Sequence, residues 1–226
     1  MIDQLIIGGK ASYEDFGASL ASRAIKQPAK KSIKETVPFS NITYDFSAIN
    51  GELYWEEREL EYIFEMLADT PAELETKKIA FANWVMNTLE EEIFDPFIKD
   101  YHFTRCTFGN IEYSDEDNIE KTTAKVTFTA YPYKVANSPK KYTRNIEAGG
   151  EASFNVINDS SHRLIPKITI TGGGLTVYFG DVIYTVPEGE ISDATFMLPV
   201  GTTAFKFTNS NNTVCKVEVS FFEEVF

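Results

Sequence analysis

The chain has 226 residues, 43% hydrophobic and 24% charged, with 34 acidic against 21 basic residues and a formal net charge of -13. That size suits one large globular domain or two ordinary ones, and the acidity argues against a groove that tracks nucleic-acid phosphates. Two distant cysteines, Cys106 and Cys215, exclude a disulfide framework or a cysteine zinc cluster, and no run nears the ~20 apolar residues of a membrane span.

Aromatics at 14%, with many Thr and Val, tilt the prior toward β-structure. The first residues, MIDQLIIGGKASYEDF, have no basic n-region and only a short apolar run, so we expect synthesis and folding in a cytoplasm. Asp3 to Ile7 is predicted as a short strand stopped by Gly8-Gly9. From Ser22 to Glu35, Arg23, Lys26, Lys30, Lys31 and Lys34 stand against one acid, with Pro28 between them and few apolar residues. This stretch is predicted to be a loop or extended arm.

Asn41 to Phe46 alternates Ile42, Tyr44 and Phe46 with polar residues, the period of a half-buried strand. Asn50-Gly51 signals a turn. Between Trp55 and Leu67, Glu and Leu favour helix by propensity. Yet Leu60, Tyr62, Phe64 and Met66 alternate with Glu59, Glu61, Ile63 and Glu65, which predicts a strand with one apolar face and a row of acids on the other. Thr70-Pro71-Ala72-Glu73 is a helix start with a capping box. Leu74, Phe81, Trp84, Val85 and Leu89 make its apolar stripe, so the helix is predicted to run to about Leu89 and fray into Glu90–Glu92. Strands follow over Tyr101–Tyr113, with a break at Gly109-Asn110, and over Glu120–Tyr131, where Ala124, Val126, Phe128 and Ala130 share a face.

Ala136 to Arg144 is polar and basic, and a domain boundary is placed there, giving domains 1–142 and 143–226. Beyond it no helix is predicted. Strands are expected near Ala152–Ile157, Lys167–Thr171, Leu175–Phe179, Val182–Val186, Ser192–Leu198, Thr203–Asn209 and Val214–Phe222, with turns at Gly172–Gly174, Gly180-Asp181 and elsewhere. Seven such strands predict an antiparallel sandwich.

Catalytic signals are sparse. His102 and His162 are the only histidines, and no nucleophile elbow, HExxH or CxxC occurs. Both are expected to be ordinary surface or edge residues. Gly172-Gly173-Gly174 precedes no helix, so a hairpin turn is expected in place of a phosphate cradle. Asp115-Glu116-Asp117-Asn118 lacks the glycine and alternating ligands of a calcium loop and is expected to be a hairpin tip. No catalytic, metal or cofactor residues are assigned.

Taken together, VPFSNITYDFSAINGELYWEERELEYIFEM, a capped helix containing IAFANWV and the strand KVTFTAYPYK resemble the N-terminal domain of siphophage distal tail proteins. The match covers about residues 37–134, and Asp15-Phe16-Gly17 also suits it. The resemblance implies a mainly β protein with an N-terminal β-sandwich, one α-helix and an extended arm, followed by a galectin-like β-sandwich. It implies a non-enzymatic hexameric ring at the distal end of the virion tail, made in the host cytoplasm. Implied partners are other copies of the chain, the tail-tube protein, the tail-associated or tip protein and a receptor-binding protein. DNA is implied only in passage through an acidic lumen, which the Glu row could line, and no membrane is involved. Arg23, Lys26, Lys30, Lys31 and Lys34 are then the expected assembly arm. The rival reading is a carbohydrate-binding β-sandwich module, although both tryptophans, Trp55 and Trp84, lie outside the second domain. A hydrolase finds no constellation.

Overall fold

A computed structural model of the chain describes residues 2–48, 51–115, 120–180 and 182–226. Asn50, Glu116–Asn118 and Asp181, each part of an expected turn or tip, lie outside the described residues. The chain divides into two units, Met1–Lys134 with Phe226, and Val135–Val225. This division falls ahead of the expected boundary at 142.

In chain order unit 1 holds β1 (Ile6–Ile7), β2 (Lys10–Ala11), β3 (Ala18–Ile25), β4 (Lys34–Thr36), β5 (Thr43–Asp45) and β6 (Arg58–Leu67). There follow α1 (Pro71–Met86), β7 (Glu91–Phe94), β8 (Tyr101–Asp115), β9 (Lys121–Ala130) and β10 (Lys134–Ala136), which straddles the division. The main sheet runs β2-β1-β7-β8-β9-β6-β3. Gly8 and Gly9, both at positive φ, turn β1 into β2 as their sequence signal implied.

β6 is a strand despite its helix formers, because alternation wins. Leu60, Tyr62, Phe64 and Met66 are fully buried between β3 and β9, each worth about 1.5–3 kcal/mol of transfer free energy. From β9, Ala124, Val126, Phe128 and Ala130 join the same core. Thr70 caps α1 by accepting from the Glu73 amide at 3.2 Å, while the Glu73 carboxylate accepts from Asp69 N. The helix buries Leu74, Phe81 and Val85 and ends at Met86. Leu89, expected on its stripe, is exposed beyond that end. Glu91 and Glu92, in the stretch expected to fray, instead open β7, held by the burial of Ile93.

β8 carries two bulges. Its register shifts by one residue opposite β7, where Arg105 takes a φ of 51°, and again between Phe108 and Asn110 opposite β9. The second is the predicted break at Gly109. A Cβ there would lie 2.9 Å from Thr127 Oγ1 and 3.1 Å from its carbonyl oxygen, so only glycine fits without displacement.

Unit 2 comprises β11 (Lys140–Ile146), β12 (Glu151–Asn158), β13 (Lys167–Thr171), β14 (Leu175–Phe179), β15 (Val182–Val186), β16 (Gly189–Ile191), β17 (Gly201–Thr208), β18 (Cys215–Phe221) and β19 (Glu224–Val225). Sheets β11-β18-β13-β16 and β12-β17-β14-β15 bury one apolar cluster, the antiparallel sandwich expected. Three corrections apply. The supposed linker at 136–144 supplies most of β11, in which Lys141 and Arg144 are exposed and Lys140 is half-buried. Ser192–Leu198 is no strand: Asp193 caps a 3-10 turn at Ala194–Phe196, which tucks Phe196 into the core. Gly172–Gly174 is not a hairpin but the crossing from β13 in one sheet to β14 in the other.

The buried Asn209 organises one end of unit 2. Its amide donates to the carbonyls of Ile146, Glu147 and Thr213, and its oxygen accepts from Asn211 N.

Candidate functional site

The described residues between β3 and β6 contribute to neither hydrophobic core cluster. β4 and β5 form a two-stranded hairpin, pairing Lys34 with Asp45, Glu35 with Tyr44 and Thr36 with Thr43, and all six residues are exposed. Phe46 N donates to the Ile33 carbonyl at 2.8 Å, and Ser47 ties the base by accepting from Ile33 N. Nearer the root, Lys31 N donates to Tyr54 O and Glu56 N to Ala29 O. Tyr44 is 50% exposed and Phe46 40%, and Phe39 projects fully into solvent from a residue at φ 62°. Ile33, Ile42, Leu53 and Tyr54 are exposed as well.

The strand expected at Asn41 to Phe46 is thus present but not half-buried: Ile42, Tyr44 and Phe46 are all exposed. Alternation identified a strand with one apolar face, but none of the described residues covers that face. An isolated hairpin is marginal in water, and a contiguous exposed apolar surface marks an interaction site.

The five basic residues separate into two sets. Arg23 is not on a loop: β3 runs to Ile25, and Arg23 pairs with Tyr62 in the sheet register. Its guanidinium binds the Asp95 carboxylate, whose side chain is 0% exposed, and lies over the Phe97 ring. Lys26 pairs with Glu59 of its own unit at 2.8 Å. Lys30, Lys31 and Lys34 lie on the exposed arm, where Lys30 bridges Trp55 through its backbone.

A buried polar network lies beneath the arm's root. Asp95 also accepts from the Tyr62 hydroxyl at 3.3 Å and from Phe97 N at 2.9 Å. Burial, then the Asp95 charge, raises the Tyr62 phenol well above its ordinary range. Arg58, one residue past the arm, donates from Nε to the Pro132 carbonyl at 2.7 Å and lies over Phe103. Sequence reading missed both Arg58 and Asp95, because nothing in a run of charges marks the one that points inward. The parity of β6 could have found Arg58, which shares the face of Leu60 and Tyr62.

The Glu row on the opposite face of β6 is not an acidic wall. Lys26 pairs with Glu59, Lys125 with Glu61 at 2.9 Å and Lys121 with Glu65 at 3.7 Å. The neighbouring strand β9 supplies Lys125 opposite Ile63 and Lys121 opposite Leu67, diagonal to Glu61 and Glu65, so the charge of the row is largely balanced.

On unit 2, a shallow groove of about 350 Å³ crosses the outer face of β11, β18, β13 and β16. Lys141 pairs there with Glu218 and Lys167 with Glu190, with Lys216 and Phe222 beside them. Of the histidines, His102 is buried, stacks on Phe94 and lies near Glu92. His162 is half-buried 3.2 Å from Glu224. Both cysteines are free and buried, and burial pushes the Cys106 thiol up to about 12. No group of three or more metal-ligating side chains occurs among the described residues, and no helix among them is long and apolar enough to cross a membrane.

No protein-family model matches the chain, and no curated relative matches it. Among solved structures, the Dit protein of phage SPP1, a hub of the adsorption apparatus in phages infecting Gram-positive bacteria, aligns with 98% of this chain and 99% of its own. The TM-score is 0.67 at 12% identity, so the two share a fold. A chain of the phage P2 baseplate in its activated conformation with Ca aligns over 96% of this chain and 98% of its own. Its TM-score is 0.39 at 12% identity, too loose a superposition to bear on the fold.

Proposed function

We propose that this chain is a structural distal tail protein of a phage or prophage. In this reading copies of unit 1 close into a six-membered ring that joins the tail tube to the tip or adsorption apparatus, and the chain acts by assembly and not by catalysis. The observation that carries the reading is the likeness of fold to SPP1 Dit over nearly the whole of both chains. The uncovered apolar arm supports it independently, since an assembly subunit needs a surface that its own fold leaves unfilled.

Lys30, Lys31 and Lys34 place positive charge on that arm in a chain of net charge -13, so each arm is drawn toward the body of another copy or the tail tube. Arg23 and Lys26 are engaged within their own unit and contribute less. Any acidic lining of the ring's channel comes from elsewhere than the lysine-paired row of β6. Unit 2 is assigned to the outside of the ring, where it meets tip or receptor-binding proteins.

Negative-stain electron microscopy of the purified chain, alone and with its tail-tube and tip partners, tests the proposal. Six-fold rings are expected in at least the partnered sample. A stable closed ring of another order overturns it.

A further inference from the structure

Arg58 is 1% exposed, and its terminal nitrogens Nη1 and Nη2 reach no acceptor among the described residues. Only its Nε is satisfied, by Pro132 O. A buried guanidinium is ordinarily held by a carboxylate across its two-nitrogen fork, because an uncompensated charge out of water is costly. The carboxylate buried in this unit, Asp95, is engaged by Arg23, the Tyr62 hydroxyl and Phe97 N.

Lys134 lies in the same electrostatic field. Burial, then the positive charges of Arg58 and Arg23, lowers its pKa, and no ion pair joins its ammonium among the described residues. Of the three cations Arg23, Arg58 and Lys134, only Arg23 pairs with a carboxylate among the described residues, in a protein that elsewhere has acids in excess.

We infer that Arg58 and Lys134 form an internal receptor for one oxyanion, a carboxylate or phosphate group taken by the Nη1–Nη2 fork with the lysine ammonium beside it. The forked donors favour two oxygens on one centre over a spherical halide. The group is either a small free anion or an acidic side chain of a second copy of the chain. The inference is independent of the tail assignment.

The test is thermal unfolding of the full chain, followed by tryptophan fluorescence, which reports unit 1 because Trp55 and Trp84 both lie there. Chloride is exchanged for acetate or phosphate at constant ionic strength, and unfolding itself lets the anion reach an enclosed site. A free anion raises the wild-type midpoint saturably, by roughly 2–4 °C. Arg58→Met loses this response yet melts no lower than wild type in chloride, because the uncompensated charge has gone. General salting effects of phosphate would act equally on both proteins.

If the oxyanion comes from a second copy, dilute protein shows no anion response. Concentrated protein then self-associates, acetate inhibits the association and Arg58→Met abolishes it. Should Arg58→Met not fold, Lys134→Met is expected to cut either response at least several-fold. Equal behaviour in chloride and oxyanion at both concentrations overturns the inference, as does an undiminished response in the variants.

Discussion

Replacing Asp95 with Asn isolates the buried ion pair of unit 1. The asparagine oxygen can still accept from Phe97 N, while its NH2 takes the place of the second carboxylate oxygen and turns the Tyr62 hydroxyl from donor to acceptor, so the shape survives while the charge is lost. Arg23 is then left without its counter-ion. Breaking one side of a fully buried pair costs about 3–5 kcal/mol. The Arg23 side chain is 28% exposed, so water recovers part of that loss, and we expect about 2–4 kcal/mol. Arg23→Met alone should cost at least as much, because the stranded Asp95 carboxylate is 0% exposed. The double variant should cost less than the sum of the two, by about 1–3 kcal/mol of coupling. Urea unfolding monitored by the two tryptophans of unit 1 measures all three. Costs below about 0.5 kcal/mol, or strict additivity, would mean that the pair is a solvated contact and that the charge accounting of this region is wrong.

Reversing Lys30, Lys31 and Lys34 to Glu should weaken assembly at low salt by several-fold, and the deficit should shrink as salt rises. Sedimentation velocity at two ionic strengths checks this, and unchanged assembly at low salt leaves the arm's charge without a role. Phe39→Ser and Phe46→Ser should leave the midpoint of unfolding within about 1 °C of wild type, because neither side chain packs in a core. The same pair should lose most of the assembly signal. Both cysteines should resist an added thiol reagent in the native state and react in urea, since Cys106 is buried with its thiol pushed up to about 12. Rapid native labelling at pH 8 would contradict the burial of both.

The sequence was most legible where one periodicity dominates and the apolar face meets a partner within the chain. β6, β9, β13, β14 and β15 were foreseen from alternation or short apolar runs, and α1 from its cap. β5 obeys the same period, but alternation shows only that a face is apolar, never what lies against it. β7 was hidden because Glu91, Glu92 and Phe94 point outward and a single residue, Ile93, anchors the strand. Lysines and an arginine concealed β11 in the same way. The row of acids on β6 was legible, but its neutralisation was not, since Lys121 and Lys125 arrive from a strand about sixty residues away. Phe226 groups with unit 1, against Trp55 and Tyr133. Phe221 instead packs inside unit 2.

The two bulges of β8 carry a consequence for how this gene can change length. Each inserts one residue, so the inward parity flips from Phe103 to Cys106 and Phe108, and back again to Ile111 and Tyr113. Deleting Gly109 would close the second bulge and leave Phe108, Ile111 and Tyr113 in strict alternation on the inward face, opposite the same β9 partners. Deleting Arg105 would likewise bring Phe103 and Cys106 into strict alternation opposite β7. Loss of an in-register residue such as Glu112 would instead turn what lies beyond it to the other face. Single-codon losses that persist in a lineage should therefore fall at the two bulges, and those elsewhere in the strand should be purged.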